Sequence, residues 1–595
     1  MDNWVLKRAM LTPERTAVFD GETRYTFGDV FDEAQRLGAV LDQFGAFKTQ
    51  NVAMVSNNNV RGYLLAVTLL LYGKTVVWLN KRLTNSELAE QMRDAGVACC
   101  LKDDSLPNDL LGESSATSAV EKDVAASKSA ENLESPANAK VRIVGFDEIF
   151  AKAHDFKLGG TGKVSGDVQK TSGNPALVYC SSPSALAEPT AKNSVGDNDV
   201  DPIVSAPPIP REFDDDQVVS IMFTSGSTGE PKGIQQTVRN HFTSATSVAL
   251  NLGTSPTDEW LCAVPIFHIS GYSIVLRGLI FGVTVRLMDH FDAPEMERIL
   301  TNEPVTWVSV VPTMLIELVP EHEKRVTAST GSAAASDSGL SGLPGDNDGP
   351  MPLPANFGYS PAFKGFILGG EKSDLKLLKR CHALGMVVVR SYGMTETCSQ
   401  IVGTGTGDGA RKLLASGKPY FTTSLKLAEK TGEILIKTDA LTPGYLNCPG
   451  VFEAKKTADG WYCTGDVGHI DDDGYLYVDG RLDNMMISGG EHVFPEEVER
   501  VYADCPGIDE IAVTAEPDEK WGEVPVAYVI CKAEAEKNGG SKGSNAEVAA
   551  SLAAQWREFG RSNLAHYKVP KRFYRVDSLP RTSTGKVRRF LLGKS

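Results

Sequence analysis

Apolar residues between positions 1 and 103 recur in two spacings, one typical of helices and the other of strands. Runs rich in β-branched residues at 51–56 and 75–79 predict buried strands between helical segments. The apolar run 63–79 is interrupted by Gly73 and Lys74 and falls short of the roughly 20 residues that a membrane span needs. It predicts a buried helix that leads into a strand, and the alternation as a whole predicts an α/β layer architecture.

The alternation continues downstream of two stretches with a different composition. Further strands are predicted at 305–311, 386–392, 432–437, 474–480 and 524–531. The glycine-bounded pair 432–437 and 474–480 predicts a smaller β unit. A helix is predicted to begin at Pro495, because proline is favoured at the first helical position and two glutamates follow it.

Two stretches, about 104–215 and about 327–356, are rich in Ala, Ser, Asp, Gly and Pro and have little periodicity. Such segments bury little apolar area, so both are predicted to be surface insertions. Two islands at 140–150 and 176–180 have the pattern of ordered structure. We assign neither insertion a catalytic role, and the docking of a partner is the alternative.

Composition narrows the class of protein. A chain of 595 residues is too long for one core and predicts several structural units. The net charge of −16 argues against a general binder of nucleic acid or acidic membrane. Anionic ligands must therefore be bound by local groups of residues, such as a loop with backbone N–H donors and a lysine. Ten scattered cysteines favour reduced thiols in a cytosol, and the first residues do not resemble a secretory signal. A soluble cytoplasmic protein is expected.

The segment 218–233 carries the most specific chemistry. A strand-like apolar run opens into a loop whose candidate phosphate-binding residues are Thr224, Ser225, Gly226, Ser227, Thr228, Gly229 and Lys232. Glycines let the backbone N–H groups approach an anion, hydroxyls add donors, and a lysine adds a point charge. In a P-loop the lysine follows a glycine and opens a helix, whereas here Lys232 precedes Gly233. The loop therefore predicts a nucleotide triphosphate site of another type; a Gly/Ser surface loop is the alternative.

Four further segments supply candidate partners for a nucleotide. A strand ends at Gly369 and Gly370, where a flat ring would lie against bare backbone; a tight turn is the alternative. Tyr392, Thr395 and Glu396 come together after another strand. A carboxylate beside a triphosphate is best explained as a Mg²⁺ ligand, since Mg²⁺ takes oxygen donors and bridges phosphates. A solvated loop glutamate is the alternative.

The other two segments lie towards the C-terminus. Asp466 follows a Thr-Gly turn and is able to accept both ribose hydroxyls, with Arg481 in reach of phosphate or ribose. Asp483 lies where the β unit gives way to the tail, a natural hinge position. Lys586 follows a glycine in a polar loop, for which a solvated basic tail is the alternative.

Together these motifs resemble the acyl-adenylate-forming superfamily, in the same order and over nearly the whole chain outside the two insertions. The resemblance implies an α/β fold with a large multi-layer N-terminal domain, 1–482, that includes the small β unit. A hinge at Asp483 and a small mobile α+β C-terminal domain, 483–595, complete it. ATP, Mg²⁺ and coenzyme A are the implied cofactors and co-substrates, and the reaction is acyl-adenylate formation followed by thioester formation.

The resemblance also implies roles for individual residues. The 224–232 set contacts the β- and γ-phosphates, Gly370 and Tyr392 bracket adenine, and Asp466 with Arg481 holds the ribose. The implied catalytic residues are Lys586, Glu396, Thr395 and His268, with Thr395 at the α-phosphate and Glu396 on Mg²⁺. Gly489, Gly490 and Glu491 are implied to serve the thiol step. Glu371 and Lys372 stand where relatives often carry Gly-Ala or Pro-Ala, which leaves the contacts to the adenine edge open.

The acyl pocket is expected along 265–277, with His268, Ser270, Arg277 and Ser399 as substrate-binding residues. Three features resemble the ligases that act on 2-succinylbenzoate in menaquinone biosynthesis: 267–271 followed by Arg277, 392–400 and 487–498. An arginine in an otherwise apolar helix needs an anionic partner, and the second carboxylate of that acid would supply it. A snorkelling or structurally paired Arg277 is the alternative, and His268 either gates the pocket or packs there.

Other functions stay open at this point. The acid is alternatively another aryl or medium-chain carboxylic acid, or the chain is a stand-alone adenylation module that loads a carrier protein. A non-catalytic homologue that binds an adenylate is disfavoured, because Lys586, Glu396 and Asp466 are all present. The expected partners are small molecules, with no nucleic acid and no integral membrane segment, and a homodimer is one assembly open to the chain.

Overall fold

The computed structural model describes residues 1–111, 141–155, 207–225, 231–330, 355–370, 373–408, 412–488, 491–532, 546–581 and 587–593. Strands in these ranges are, in chain order, β1 (Thr16–Phe19), β2 (Arg24–Thr26), β3 (Asn51–Val55), β4 (Thr75–Trp78), β5 (Cys99–Lys102), β6 (Arg142–Gly145), β7 (Val218–Ser225), β8 (Pro231–Thr237), β9 (Glu259–Cys262), β10 (Thr284–Leu287), β11 (Trp307–Val310), β12 (Gly365–Leu368), β13 (Val388–Met394), β14 (Ser399–Gly403), β15 (Lys418–Pro419), β16 (Thr423–Leu427), β17 (Glu433–Thr438), β18 (Gly444–Tyr445), β19 (Tyr462–Ile470), β20 (Leu476–Arg481), β21 (Met486–Ser488), β22 (Glu491–Val493), β23 (Ile508–Asp518), β24 (Gly522–Cys531), β25 (Ala546–Glu547) and β26 (Arg572–Arg575).

The α-helices in the same ranges are α1 (Trp4–Leu11), α2 (Phe27–Gln43), α3 (Val60–Leu71), α4 (Asn85–Asp94), α5 (Phe146–Asp155), α6 (Val238–Leu252), α7 (Ile269–Phe281), α8 (Ala293–Asn302), α9 (Pro312–Thr330), α10 (Leu375–Ala383), α11 (Pro449–Glu453), α12 (Pro495–Tyr502) and α13 (Ala550–Asn563). None of them combines the length and the apolar character that crossing a membrane requires.

Two large mixed sheets form the body of the protein. A seven-stranded sheet has the order β18-β8-β7-β4-β3-β5-β6, and a nine-stranded sheet has the order β15-β14-β13-β12-β11-β9-β10-β1-β2. The central strands of both sheets are parallel. Strands β4 and β11 are buried along their whole length, which is expected of parallel strands covered on both faces and explains their continuous apolar sequences.

Each large sheet turns antiparallel at the edge that carries the candidate site. In the seven-stranded sheet, β8 folds back on β7, and the short strand β18 pairs with β8. In the nine-stranded sheet, β14 folds back on β13. A separate four-stranded antiparallel sheet, in the order β16-β17-β19-β20, is the small β unit predicted from 432–437 and 474–480.

The chain after the turn at Leu482–Asn484 builds its own sheet and its own core. Strands β21 to β26 form this sheet, and helices α12 and α13 pack on it around Tyr502, Trp556 and Phe573. At the junction, the amide Nδ2 of Asn484 donates to Oε1 of Glu496 at 2.8 Å. The predicted α/β class with a small β unit and an α+β C-terminal domain is confirmed, whereas the boundary at 482/483 and the hinge role of Asp483 stay predictions.

Several elements agree with their sequence prediction, and one prediction needs refinement. The run 63–79 is divided between α3 and β4, and a helix begins at Pro495. The island at 140–150 contains β6 and the start of α5, and β6 extends the seven-stranded sheet at its edge. This part of the stretch 104–215 therefore belongs to the core architecture. The island at 176–180 and most of both insertions lie outside the described residues.

The packing of α13 gives a test of the C-terminal core. A Cβ added at Gly560 would lie 2.0 Å from the hydroxyl oxygen of Tyr502, which is buried and donates to the backbone oxygen of Trp556. We expect G560A to lower the free energy of unfolding of this domain by about 1–3 kcal/mol through overpacking. Urea denaturation, with hydrogen exchange of β24 as the local reporter, measures the change. The control is G450A in α11, where nothing lies within 4 Å of the added Cβ and a loss of stability is not expected.

Candidate active site

The segment with the predicted phosphate loop is flanked by β7 and β8, which pair antiparallel and whose near ends are Ser225 and Pro231. Thr224 and Lys232 are cross-strand partners in this hairpin, so their side chains emerge at the same end of the sheet. The ammonium of Lys232 lies 5.6 Å from the ring centre of Tyr445, on the neighbouring strand β18. Gly226, Ser227, Thr228 and Gly229 lie outside the described residues. The contacts of the loop to phosphate therefore stay predictions.

The carboxylate of Asp466 is the centre of a second cluster. Its Oδ2 accepts a 2.6 Å hydrogen bond from the hydroxyl of Tyr392, and its Oδ1 accepts one of 2.9 Å from Nη1 of Arg481. Nη2 of Arg481 lies 3.4 Å from Oδ2 of Asp483. The pKa of Tyr392 is raised well above its usual value by burial and by Asp466. The structure therefore brings together three of the four residues assigned to adenine and ribose, next to the predicted hinge residue.

The side chain of Glu396 is held by residues from other elements. The turn Thr395–Thr397 follows β13, and Oε1 of Glu396 accepts a 3.0 Å hydrogen bond from the hydroxyl of Tyr445. The backbone N–H of Thr442 donates to the backbone oxygen of Glu396 at 2.7 Å. Burial, followed by the charge of Glu396, raises the pKa of Tyr445, so this phenol stays a donor. Because Lys232 lies over the same phenol ring, Tyr445 connects the phosphate hairpin with the predicted Mg²⁺ ligand.

The environment of Glu396 is compatible with Mg²⁺ bound together with a nucleotide. Within the described ranges, no group of three or more His, Cys, Asp or Glu side chains is arranged to hold a metal ion. Mg²⁺ in nucleotide enzymes usually takes only one or two carboxylates and completes its shell with phosphates and water. A single oriented carboxylate beside the phosphate hairpin fits that pattern.

Two glycines shape the backbone around these side chains. Gly370, two residues after the end of β12, is exposed and has a left-handed conformation with φ of 91°, which suits glycine and leaves bare backbone at the expected adenine site. A Cβ at Gly393 would lie 2.0 Å from the backbone oxygen of Ser399, so β13 and β14 approach as closely as they do only with glycine there. Glu371 and Lys372 lie outside the described residues.

Arg277 in α7 is a buried cation without a carboxylate partner among the described residues. It is 2% exposed, and its Nη2 contacts Oγ of Ser399 at 3.4 Å and Oε1 of Gln400 at 3.5 Å. Its guanidinium carbon lies 5.0 Å from the ring centre of Trp260, and its Nε has no hydrogen-bond partner. Burial lowers the pKa of Arg277 to about 10, so the side chain is still charged at neutral pH. These long contacts to neutral groups leave the positive charge free to receive an anion.

His268 occupies the N-cap position of α7 without a side-chain capping hydrogen bond, and Ser270 lies in the first turn of this helix. The ring of His268 lies 4.6 Å from the ring of Phe267. Burial, followed by the charge of Arg82, lowers the pKa of His268 to about 4, so the imidazole is neutral at neutral pH. A neutral imidazole at the start of α7, in the segment expected to line the acyl pocket, fits either predicted role of His268, gating or packing.

Four of the predicted site residues are not placed in the site by the described part of the structure. Lys586, Gly489 and Gly490 lie outside the described residues, and Glu491 begins β22, paired with Ser488. Their roles stay predictions. Sequence reasoning missed Tyr445 and Gln400, which contact Glu396 and Arg277. The sequence around Tyr445 does not mark it as a site residue, because it is the pairing of the edge strand β18 that brings it to the site. Gln400 directly follows the predicted substrate-binding residue Ser399, so the sequence could have identified it.

Comparison with known proteins agrees with this geometry. Residues 5–446 match the model of the AMP-binding enzyme family, and residues 497–586 match that of the AMP-binding enzyme C-terminal domain. The chain belongs to the AMP-binding enzyme family. A family member from Listeria monocytogenes, 2-succinylbenzoate–CoA ligase, is 32% identical over 590 residues, covering 99% of this chain and 98% of that protein. The ligase of the same name from a Geobacillus species is also 32% identical and covers 99% and 96%.

Solved structures of AMP-binding enzymes extend the likeness to the fold. The o-succinylbenzoate CoA synthetase of Bacillus subtilis, in complex with an acyl-adenylate intermediate, has a TM-score of 0.74 and is 28% identical, covering 100% of this chain and 98% of that one. The same synthetase in complex with ATP and magnesium ion has a TM-score of 0.72.

The pKa of His268 leads to a test by protein stability. The folded value of about 4 lies below the ordinary 6.5, so between these pH values the unfolded chain binds a proton that the folded chain does not. The free energy of unfolding therefore falls as the pH falls from 6.5 towards 4. In H268Q we expect this fall to be shallower: at pH 5 the slope of the free energy of unfolding against pH should correspond to about one proton fewer than in the wild type. Urea denaturation of both proteins across this range measures the slope, and equal slopes would contradict the buried neutral state of His268.

Proposed function

We propose that the chain is an ATP-dependent ligase that joins 2-succinylbenzoate to coenzyme A, the menaquinone-pathway reaction that the sequence resemblance implied. The observation that carries the choice of acid is Arg277, a buried cation whose described neighbours are neutral. The ring carboxylate of 2-succinylbenzoate is a suitable partner, and the succinyl carboxylate is then the group that reacts. The names of the similar ligases from Listeria and Geobacillus support the same acid.

In the first half-reaction, an oxygen of the succinyl carboxylate attacks the α-phosphorus of ATP and pyrophosphate leaves. Asp466 accepts hydrogen bonds from the ribose hydroxyls, and its own orientation is fixed by hydrogen bonds from Tyr392 and Arg481. Lys232 binds the departing phosphates, and Lys586, which lies outside the described residues, is assigned by the family resemblance to bridge the attacking carboxylate and the α-phosphate. These cations offset the repulsion between the two anions and stabilise the charge that develops in the step. Mg²⁺ on Glu396 adds charge stabilisation at the phosphates when it is bound.

In the second half-reaction, the sulfur of coenzyme A attacks the acyl carbon of the mixed anhydride and AMP leaves. Rotation of the C-terminal domain about Asp483 withdraws Lys586 and brings the 489–491 segment to the site. The separate core of that domain and the short turn Leu482–Asn484 that leads into it support such a rigid-body movement.

The reaction is proposed for the cytoplasm. Eight cysteines of the described residues are free thiols, which fits a reducing compartment: Cys99, Cys100, Cys262, Cys381, Cys398, Cys448, Cys463 and Cys505. The homodimer also stays a prediction, which size-exclusion chromatography with light scattering decides.

The test of the proposed acid is pyrophosphate release and thioester formation with three acids. We expect turnover with 2-succinylbenzoate to exceed turnover with benzoate or octanoate by about 100-fold or more, because neither alternative acid pairs with Arg277. Turnover of another acid without turnover of 2-succinylbenzoate would transfer the proposal to that acid. Release of pyrophosphate without formation of the CoA thioester would favour a module that loads a carrier protein.

A substitution of Arg277 separates the substrate role from a structural one. We expect R277M to lower kcat/KM for 2-succinylbenzoate by about 10- to 100-fold, as loss of a charged hydrogen bond does. The melting temperature should stay the same or rise, since a buried cation without a carboxylate partner is replaced by an apolar chain of similar volume.

The matched control is R286M, at a buried arginine that does have acidic partners. Nε of Arg286 lies 2.5 Å from Oε1 of Glu259, and Nη2 lies 3.2 Å from Oε2 of Glu303. Loss of this arginine leaves Glu259 unpaired, so R286M should lower the melting temperature without changing the preference among acids. If R277M behaves like R286M, Arg277 is structural.

A further inference from the structure

The backbone of the turn 395–399 is held by a buried side-chain network that the proposed mechanism does not use. Gln236 in β8 donates from Nε2 to the backbone oxygen of Thr395 at 2.8 Å. Ser220 in β7 donates from Oγ to Oε1 of Gln236 at 2.7 Å. Nε2 of His241 in α6 lies 2.7 Å from the same Oγ. Ser220 and Gln236 have no exposed surface, and His241 is 2% exposed.

The hydrogen-bond directions in this network are fixed by counting protons. Gln236 must present its NH₂ group to the carbonyl of Thr395, so its oxygen faces Ser220. The single hydroxyl proton of Ser220 is then used on Gln236, and Oγ of Ser220 has to accept from His241. His241 therefore carries its proton on Nε2. Burial lowers its pKa to about 3, which keeps the ring neutral and the arrangement unchanged across the working pH range.

The same turn is held from a second side by α6. Oγ of Ser244 donates to the backbone oxygen of Cys398 at 2.7 Å. Cys398 and Ser399 both have left-handed backbone conformations, with φ of 50° and 108°, which residues with side chains adopt only when the surroundings enforce them. The turn from Thr395 to Ser399 is therefore shaped by donors from the phosphate hairpin and from the helix that follows it.

We propose that Gln236, oriented by Ser220 and His241, is a positioning residue for adenylation that aims Thr395 at the α-phosphate. The inference rests on the proposed function only for the role of Thr395, and it holds for any acid. Its physical basis is direct: β8 carries Lys232 and Gln236 on one strand, so the group that binds the departing phosphates and the group that fixes Thr395 move as one unit. Misplacement by about 1 Å at a reacting centre costs on the order of 100-fold in rate.

The experiment compares the binding of AMP and adenosine, which differ only in the α-phosphate, by calorimetry. In Q236M, a side chain of similar length that cannot donate, we expect the preference for AMP over adenosine to fall by about 10-fold. The control is N251A in α6, which removes a similar bond from an amide to the backbone oxygen of Thr404 at 3.2 Å, away from the turn. N251A should leave the preference unchanged. An unchanged preference in Q236M, with AMP still bound, would overturn the proposal.

Kinetics and a conservative variant exclude a merely structural role. In pyrophosphate release, Q236M should lower kcat by about 10- to 100-fold and leave KM for ATP within about two-fold, because most ground-state contacts to ATP remain. H241Q keeps a donor near Nε2 and should retain more activity than H241L. Equal loss in the two His241 variants, or a rise in KM without a fall in kcat, would contradict the proposal. If the wild type uses none of the three acids, the proposed substrate fails, and the ratio of AMP to adenosine affinity still decides the role of Gln236.

Discussion

The carboxylate of Asp466 is the interaction on which the geometry of the candidate site depends. This carboxylate is nearly buried in the small sheet. It accepts one hydrogen bond from the phenol of Tyr392 in the nine-stranded sheet and one from the guanidinium of Arg481, on the strand that leads to the C-terminal domain. Charge-assisted hydrogen bonds of this kind are short and directional. Two sheets and the junction between domains are therefore fixed relative to one acceptor, and the nucleotide site is defined where they meet.

A second constraint is the cost of keeping Arg277 charged in an apolar helix. Arg286, another buried arginine among the described residues, has two glutamates beside it, whereas Arg277 has a serine, a glutamine and the face of Trp260. A buried charge without a carboxylate partner lowers the stability of the folded state, so stability alone does not explain this arrangement. The contrast is the reason for interpreting Arg277 as part of a binding pocket that is completed by an anionic substrate.

Sequence patterns predicted the fold and the chemistry that is local along the chain. The strand before the glycine-rich loop, the Tyr392–Glu396 segment and the anomalous arginine all have short-range signals. Tyr445 and Gln236 could not be found in this way, because the first reaches the site through an edge strand and the second through the pairing of a hairpin. The polar residues Asn240, Ser244 and Asn251 in α6 do recur at helical spacing, but the same pattern describes an ordinary solvated face.

The order of strands in the seven-stranded sheet has a consequence for biosynthesis on the ribosome. Its central strands come from residues 51–102, its next strands from 218–237, and its edge from Gly444 and Tyr445. Pairing between segments so distant in sequence is slow, and it has to wait until the last partner has been translated. Until residues 218–225 have been translated, the early strands therefore keep an open edge beside β4, where the nascent chain is exposed to incorrect strand pairing.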